Sequence, residues 1–273
     1  MPSRAGSTGA AEIPRTTPRR GAAAEAASLP ARLREVSSLL AARYGRPDRC
    51  AHEKDPVRNL ILTILSQNTT DGNRDRAFES LMRRFPTLPR LAAAPPRAVE
   101  EAIRVGGLAG AKARAILSAL RRLSEERGGY TLDFVADMPL AQARSYLTSF
   151  PGVGVKTANV ILLFSFRRAA FPVDTHILRV AKRLGLVPQN ADLSRAALLI
   201  EPHVPRGEHV PLHLNMIRLG REICRPQKPR HAECPLLPVC PEGKRSVGPA
   251  KSMDGQVPRE PGGRERPPRA PRP

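Results

Sequence analysis

The chain has 273 residues, of which 41% are hydrophobic and 4% aromatic, with no Trp. This composition favours a helical core of Leu, Ala, Ile and Val over an aromatic-rich sheet sandwich, and no run approaches the roughly 18 apolar residues of a membrane span. Lys and Arg outnumber Asp and Glu by 45 to 25, which gives a formal net charge of +20. The expected partner is therefore an anion such as a nucleic-acid backbone.

The two ends of the chain differ in composition from its middle. Residues 1–28 are rich in Ala, Pro, Gly, Ser, Thr and Arg without an apolar period, and residues 242–273 are rich in Pro, Gly and Arg, so both are predicted to be disordered tails. The first thirty residues hold four Arg and two Glu, and the last segment holds eight basic and four acidic residues, so +14 of the charge belongs to the middle. The start of the chain lacks the apolar core of an export signal, which favours a cytoplasmic protein.

Apolar residues at helical spacing predict that the middle of the chain is all-α. The predicted helices cover residues 29–44, 56–65, 72–85, 88–93, 96–104, 111–127, 141–149, 156–166, 194–200 and 210–224. A polar cluster, 66–71, follows the apolar run 56–65, and its last residue, Asp71, is predicted to start the next helix. A glycine-rich junction, VGGLAGAKA, occupies residues 105–113.

A glycine hairpin, PGVG at residues 151–154, separates two of these helices. Two glycines one residue apart can take φ > 0 and allow close backbone approach, so the amides of residues 153–155 can point outward at the start of the next helix. Unpaired N–H groups and the partial positive charge of a helix amino terminus favour an anion such as a phosphate. The same pattern also occurs in ordinary turns between helices.

Two ionisable residues follow the hairpin. Lys156 comes directly after it, and Asp174 lies eighteen positions further on, in PVDTH, where it is predicted to open a helix that Gly185 closes. Taken singly, Lys156 could be a solvated charge or a phosphate contact, and Asp174 could be a helix N-cap.

PGVGVKTANV followed by VDTHILRV resembles the helix-hairpin-helix and aspartate loop of the endonuclease III family of DNA base-excision glycosylases. The resemblance implies that Lys156 and Asp174 are the catalytic pair. It implies DNA contacts by the hairpin, two loops and a basic loop, namely Gly152, Val153, Gly154, Val155, Gln67, Asn68, Leu108, Lys228 and Arg230. In that family an amide at the position of Gln67 or Asn68 fills the space left by a rotated nucleotide, and a leucine at the position of Leu108 enters between bases. Packing of its own loop is the alternative role for Leu108.

Three of the four cysteines lie between residues 224 and 240, which in a basic cytosolic chain indicates a metal before a disulfide. The family's iron–sulfur loop has the spacing C-x6-C-x2-C-x5-C. The residues at these positions are Cys224, His231, Cys234 and Cys240, with histidine in place of the second cysteine. The resemblance implies a [4Fe–4S] cluster held by these four residues, and a Cys3His zinc site or no stable metal are the alternatives. Cys50 is expected to be structural.

The resemblance covers about residues 29–241 and implies two helical domains that flank an active-site cleft. Residues 56–168 would form a helical barrel with the helix-hairpin-helix, and residues 29–55 plus 169–241 would form a smaller helical domain with the metal loop. The segment 128–150 is longer than in the shortest family members and is similar to family branches with an extra helical turn here.

The predicted function is that of a base-excision repair DNA glycosylase with apurinic/apyrimidinic (AP) lyase activity. It would act through a lysine Schiff base and β-elimination on oxidised pyrimidines. The expected partner is double-stranded DNA with damaged bases or abasic sites, bound by a monomer in the cytoplasm at the nucleoid. The alternatives are a glycosylase for another lesion, such as mismatched thymine, uracil or an alkylated purine, and a non-catalytic DNA-binding module.

Overall fold

The computed structural model describes residues 20–48 and 55–247, with side chains from residue 29 onward, and every regular element in these ranges is helical. The α-helices are α1 (Arg20–Tyr44), α2 (Pro56–Leu65), α3 (Asp71–Arg84), α4 (Leu88–Ala92), α5 (Pro96–Ala102), α6 (Ala109–Arg127), α7 (Leu140–Thr148), α8 (Val155–Phe164), α9 (Thr175–Arg183), α10 (Leu193–Ile200), α11 (His209–Glu222) and α12 (Pro241–Val247). Short 3-10 turns at Arg104–Gly106, Asp133–Ala136, Glu201–His203, His231–Glu233 and Leu237–Val239 join them. The all-α prediction is confirmed.

Helices occupy part of each segment that was predicted to be a disordered tail. Helix α1 begins at Arg20 and not at residue 29, because the alanine-rich stretch 22–27 has high helix propensity although it has no apolar period. Helix α12 extends through Val247, beyond the predicted boundary at 242. It begins with Pro241, whose fixed φ suits a first helical position, and its Gly243 packs against Leu237 and Cys240. The tail predictions for 1–19 and 248–273, like the role of Cys50, lie outside the described residues.

Side-chain caps define the starts of several helices, among them α2, α3, α9 and α10. Asp55 caps α2 by accepting the N–H groups of Val57 and Arg58, each at 2.9 Å. The cap of α3 is Thr70, whose hydroxyl accepts the N–H of Asn73, and Asp71, which was predicted to start this helix, is its first residue. Both types of side chain serve as caps, so the sequence pattern does not separate these neighbours.

Two separate hydrophobic clusters form the cores of the described chain. The first is built from α2 to α8 and contains 26 buried residues between Val57 and Ala170. The second joins α1 to α9, α10, α11 and the cysteine loop. The chain passes from one cluster to the other between Ala170 and Phe171. None of the helices in the described ranges is long and apolar enough to cross a membrane.

A buried polar network holds this crossing point. Arg144 of α7 donates to both carboxylate oxygens of Glu201, at 2.5 and 2.7 Å, and to the amide oxygen of Asn159 at 2.8 Å. Glu201 accepts the N–H of Phe171 at 2.9 Å, and the Asn159 amide donates to the Phe171 carbonyl at 3.3 Å. The N–H and the C=O of Phe171 are therefore both held by hydrogen bonds, and this network of Arg144, Glu201 and Asn159 is called the clamp below.

We predict that Arg144→Met lowers the free energy of unfolding by about 3–5 kcal/mol, because the Glu201 carboxylate would stay buried without its cation. Chemical denaturation would measure the change. Arg84→Met is the matched control, since the Arg84–Glu101 pair is about half exposed on both sides and its loss should cost about 1 kcal/mol or less. An equal, small loss in both variants would contradict the assignment of the clamp.

Candidate active site

The hairpin places Lys156 at the start of α8. Gly152 takes φ +77°, a conformation that favours glycine, and the Val153 N–H donates to the Phe150 carbonyl at 3.0 Å to close the turn. Gly154 is the N-cap of α8 and makes no side-chain cap bond. Lys156 is the second residue of the helix, and its side chain is exposed.

Asp174 lies at the start of α9, at the end of the segment that leaves the clamped Phe171. Its side chain is 9% exposed, and one carboxylate oxygen accepts the N–H of Ile177 at 2.8 Å. Asp174 is therefore the N-cap of α9, as one of the two sequence interpretations predicted. Capping fixes the carboxylate by a short contact with its own helix.

Lys156 and Asp174 line one cleft of about 610 Å³ between the two hydrophobic clusters. Its lining includes Leu62 of the first cluster and Ile217, which packs against the second. Gln67 and Asn68 also line the cleft. Four of the residues predicted from the sequence thus meet in one place, although up to 107 positions separate them in the chain.

The turn after α2 connects the cleft to the hairpin. The Gln67 amide donates to the carbonyl of Gly152 at 2.5 Å. Asn68 takes φ +49°, in the left-handed region that non-glycine residues seldom adopt. Such conformations persist only where surrounding contacts hold them, and they occur frequently at functional sites.

Leu108, Lys228 and Arg230 lie outside the cleft lining. Leu108 precedes α6, is 60% exposed and takes φ +48°. Lys228 also takes φ +48° in the exposed loop after α11, and Arg230 pairs with Glu233 in the same loop. The structure thus separates the predicted DNA contacts into a cleft group and two exposed loops.

Three cleft residues were missed in the sequence. The Arg221 guanidinium, from α11, pairs across the cleft with Asp71 of α3 at 3.0 Å, and Arg74 pairs with the same carboxylate at 3.2 Å. His213 is 4% exposed, and its Nδ1 lies 3.0 Å from the carbonyl oxygen of Pro172. The Arg221–Asp71 and His213–Pro172 contacts join residues 150 and 41 positions apart and leave no local pattern, whereas Arg74 has an i,i+3 spacing to Asp71 that the sequence does show.

The cysteine loop is fastened to α9 by two arginines. Arg179 donates to the carbonyls of Cys224 and Gly220, at 2.8 and 2.7 Å. Arg183, one turn later, donates to the Cys224 sulfur at 3.3 Å and to the Arg225 carbonyl at 2.7 Å. The helix that Asp174 caps therefore also carries the main contacts to the loop.

The donor set of the loop suits a thiophilic metal. The N–H of Gly243 donates to the Cys240 sulfur at 3.3 Å, and a Cβ on Gly243 would lie 3.3 Å from Nδ1 of His231. Burial raises the pKa of the Cys234 thiol, and the nearby Cys224 and Cys240 raise it further. Within the described residues no three His, Cys, Asp or Glu side chains are already arranged as a metal site. The donors thus suit such a metal by their chemistry.

An aromatic cluster supports the residues just before the hairpin. Tyr146 packs edge-to-face on Phe150 with ring centroids 5.3 Å apart, and its hydroxyl donates to Glu126 at 2.8 Å. Arg122 lies over the rings of Tyr146 and Phe150 at 5.0 and 4.5 Å. Burial, followed by the hydrogen bond to Glu126, raises the pKa of Tyr146 to about 12.

We predict that Tyr146→Phe is less stable than the unchanged protein near neutral pH and that this difference shrinks as pH rises from about 10 to about 12. The tyrosine ionises near pH 10 in the unfolded chain but only near 12 in the folded one. The contribution of the neutral hydroxyl is therefore complete below pH 10 and is lost through that window. Denaturant unfolding of both proteins across this range measures it, and a constant difference would contradict the prediction.

Comparisons with known proteins agree with this geometry. Residues 61–202 match the HhH-GPD family, described as an HhH-GPD superfamily base excision DNA repair protein. The chain is 34% identical over 212 residues to the endonuclease III of Thermotoga maritima, covering 76% of this chain and 92% of that protein. It is 32% identical over 191 residues to the endonuclease III of Bacillus subtilis, covering 70% and 83%. A putative DNA glycosylase of Arabidopsis thaliana is 39% identical over 153 residues, and the match spans only 52% of that relative.

Solved structures show the same similarity. A trapped endonuclease III–DNA covalent intermediate, in an estranged-adenine complex, superposes with a TM-score of 0.68 at 31% identity, covering 80% of this chain and 99% of that one. A thermostable thymine-DNA glycosylase reaches the same TM-score at 22% identity and shares the fold.

Proposed function

The chain belongs to the HhH-GPD superfamily of base excision DNA repair proteins and is a base-excision DNA glycosylase, and we propose that Lys156 and Asp174 carry out its glycosylase and AP lyase chemistry. One observation carries the proposal. The two side chains come from different helices on either side of the crossing between the clusters, and they line the same cleft. That arrangement would allow both to reach one deoxyribose.

DNA would be held by the hairpin and the exposed loops. The amino terminus of α8 offers N–H groups and a partial positive charge to a backbone phosphate. Gly152, Val153 and Gly154 lead directly into it, and Val155 is its first residue. A base inside the stack is out of reach, so the nucleotide must rotate into the cleft. Gln67 or Asn68 would fill the space it leaves, and Leu108 would enter the stack as an apolar wedge.

The proposed chemistry uses an amine and a carboxylate that line the same cleft. The neutral Lys156 amine would form a bond from Nζ to C1′ while the N-glycosidic bond breaks and its electron pair leaves with the base. Asp174 would stabilise the positive charge that develops on the sugar and assist the loss of the proton from Nζ. Opening of the sugar ring gives an imine, and loss of a proton from C2′ then breaks the bond from C3′ to the 3′ phosphate oxygen, which nicks the strand.

We predict that Lys156→Gln abolishes the covalent adduct that borohydride traps on abasic DNA, because no amine remains to form the imine. Asp174→Asn should slow base excision by roughly 10²-fold or more, since it removes the charge that stabilises the transition state. Lys244 is exposed on α12, so Lys244→Gln should leave both the trapped adduct and the rate of base excision unchanged.

If borohydride still traps a covalent adduct of the Lys156→Gln variant on abasic DNA, Lys156 is not the nucleophile. A wild-type protein that binds DNA in a salt-dependent way without nicking or trapping would favour the alternative of a non-catalytic DNA-binding module.

We propose oxidised pyrimidines as the substrate class, supported by the endonuclease III relatives at 32–34% identity. The thymine-DNA glycosylase shares only the fold at 22% identity. Excision rates on duplexes bearing an oxidised pyrimidine, a thymine mismatch, uracil or an alkylated purine separate these substrates. Preference for any of the last three would overturn this assignment and leave the catalytic pair untouched.

The division into residues 56–168 and residues 29–55 plus 169–241 stays a prediction, which the two hydrophobic clusters support. Damaged duplex DNA as the partner is supported by the similarity to DNA-bound endonuclease III. We also propose that the protein acts as a monomer at the nucleoid in the cytoplasm.

The endonuclease III family generally carries a [4Fe–4S] cluster, and we propose that Cys224, His231, Cys234 and Cys240 would hold it here. When bound, the cluster would hold the basic loop 225–230 in shape, which needs no electron transfer. Lys228 and Arg230 of that loop would contact DNA phosphates. Neutral imidazole in place of a thiolate should raise the reduction potential, and a Cys3His zinc site is the alternative.

Protein purified without oxygen is predicted to be brown and to contain about four iron atoms per chain, as a [4Fe–4S] cluster requires. His231→Cys should retain the iron, and Cys234→Ala should lose it, since one ligand is removed. Iron and zinc content by elemental analysis measures both. Colourless protein with less than one iron atom per chain excludes the cluster, and one zinc atom per chain would support the alternative.

A further inference from the structure

Lys112 is a buried lysine that the chemistry above does not use. Its side chain is 3% exposed. Its Nζ donates to the carbonyls of Leu65 and Gly106, each at 2.8 Å. Burying an ammonium is costly unless acceptors replace the lost water, and burial lowers the pKa of Lys112. A lysine at such a buried position indicates that its two hydrogen bonds have a role.

Those two carbonyls belong to the two segments predicted to enter the duplex. Leu65 is the last residue of α2, directly before the turn with Gln67 and Asn68, and the carbonyls at a helix end lack intrahelical donors. Gly106 lies two residues before Leu108. The backbone N–H of Lys112 also donates to the Leu108 carbonyl at 3.0 Å. One residue therefore holds both segments.

The Gln67–Asn68 turn and the Leu108 loop both have backbone conformations that neighbouring contacts must stabilise. Asn68 and Leu108 take φ of +49° and +48°, which non-glycine side chains rarely adopt. Close packing restricts the loop from its other side, because a Cβ at Gly106 would lie 3.2 Å from that of Ala77. One turn after Lys112, the Cβ of Ala115 lies 3.8 Å from the position that a Cβ on Gly152 would occupy. Helix α6 thus contacts the hairpin as well.

We propose that Lys112 is a positioning residue that fixes the Gln67–Asn68 turn and the Leu108 loop relative to each other, so that both enter the duplex together. The proposal rests on the proposed function. It assigns Lys112 to the opening of the duplex, whereas Lys156 and Asp174 act on the exposed sugar.

Lys112→Met tests this, because methionine keeps much of the apolar stem and removes the three donors. We expect the single-turnover rate of base excision from duplex DNA to fall roughly 10- to 100-fold, as for displaced positioning groups. Borohydride trapping on a single-stranded abasic oligonucleotide should be unchanged, since no duplex must be opened there. Lys244→Met, at an exposed position, is the matched control and should alter neither rate.

A double-mutant cycle with Leu108→Ala separates positioning from a general structural role. If Lys112 acts through the wedge, Leu108→Ala should reduce duplex excision much less in the Lys112→Met background than in the unchanged protein. Fully multiplicative effects, an equal loss on both DNA forms, or no loss on duplex DNA would each overturn the proposal. If Lys112→Met does not fold, Gly106→Ala displaces the same loop by its contact with Ala77 and must show the same selective loss.

Wild-type protein that traps on neither DNA form would contradict the proposed function itself. That result is distinct from a failure of the Lys112 assignment, which requires an active wild-type enzyme.

Discussion

The active cleft depends on how the chain crosses from one hydrophobic cluster to the other. Phe171 begins the second cluster, and its N–H and C=O are both bound by the network of Arg144, Glu201 and Asn159. Three residues later the chain reaches Asp174. Two separately packed cores could slide against each other, whereas a largely buried, charge-assisted network has strict geometry. The position of the carboxylate relative to Lys156 therefore follows from this clamp and from the N-cap of α9.

Unusual backbone conformations are concentrated in the cleft and the loops around it. Asn68, Leu108 and Lys228 have left-handed φ values, and each lies in a segment proposed to contact DNA. Gly152 serves the same purpose in the hairpin at no steric cost. The non-glycine cases store backbone strain that neighbouring contacts must offset, and Lys112 supplies such contacts for two of them. The proposed DNA contacts therefore lie on segments whose unusual backbone conformations are held by packed helices beneath them.

Local pattern was enough to predict much of the structure. The apolar run of α2 was predicted with its full extent, Asp174 was recognised as a helix cap, and the hairpin located Lys156 at the start of a helix. The sequence prediction failed where helix propensity acts without an apolar period, as at the start of α1. The Arg144–Glu201 pair and the burial of Lys112 had no local signal. Partners 57 and 47 residues apart meet only when helices pack, and a lysine in AGAKARA looks like any exposed helix residue.

Helix α9 connects the Asp174 carboxylate in the cleft to the cysteine loop. Asp174 caps its first turn, and Arg179 and Arg183 bind the backbone of the cysteine loop. A nine-residue helix is about 13.5 Å long, and it behaves as a stiff lever because its hydrogen bonds run along its axis. A tilt of only about 5° at the loop would move the carboxylate by about 1 Å, a shift that can cost roughly 10²-fold in rate. Oxidative damage to the cysteines would then slow catalysis without touching a single reacting group.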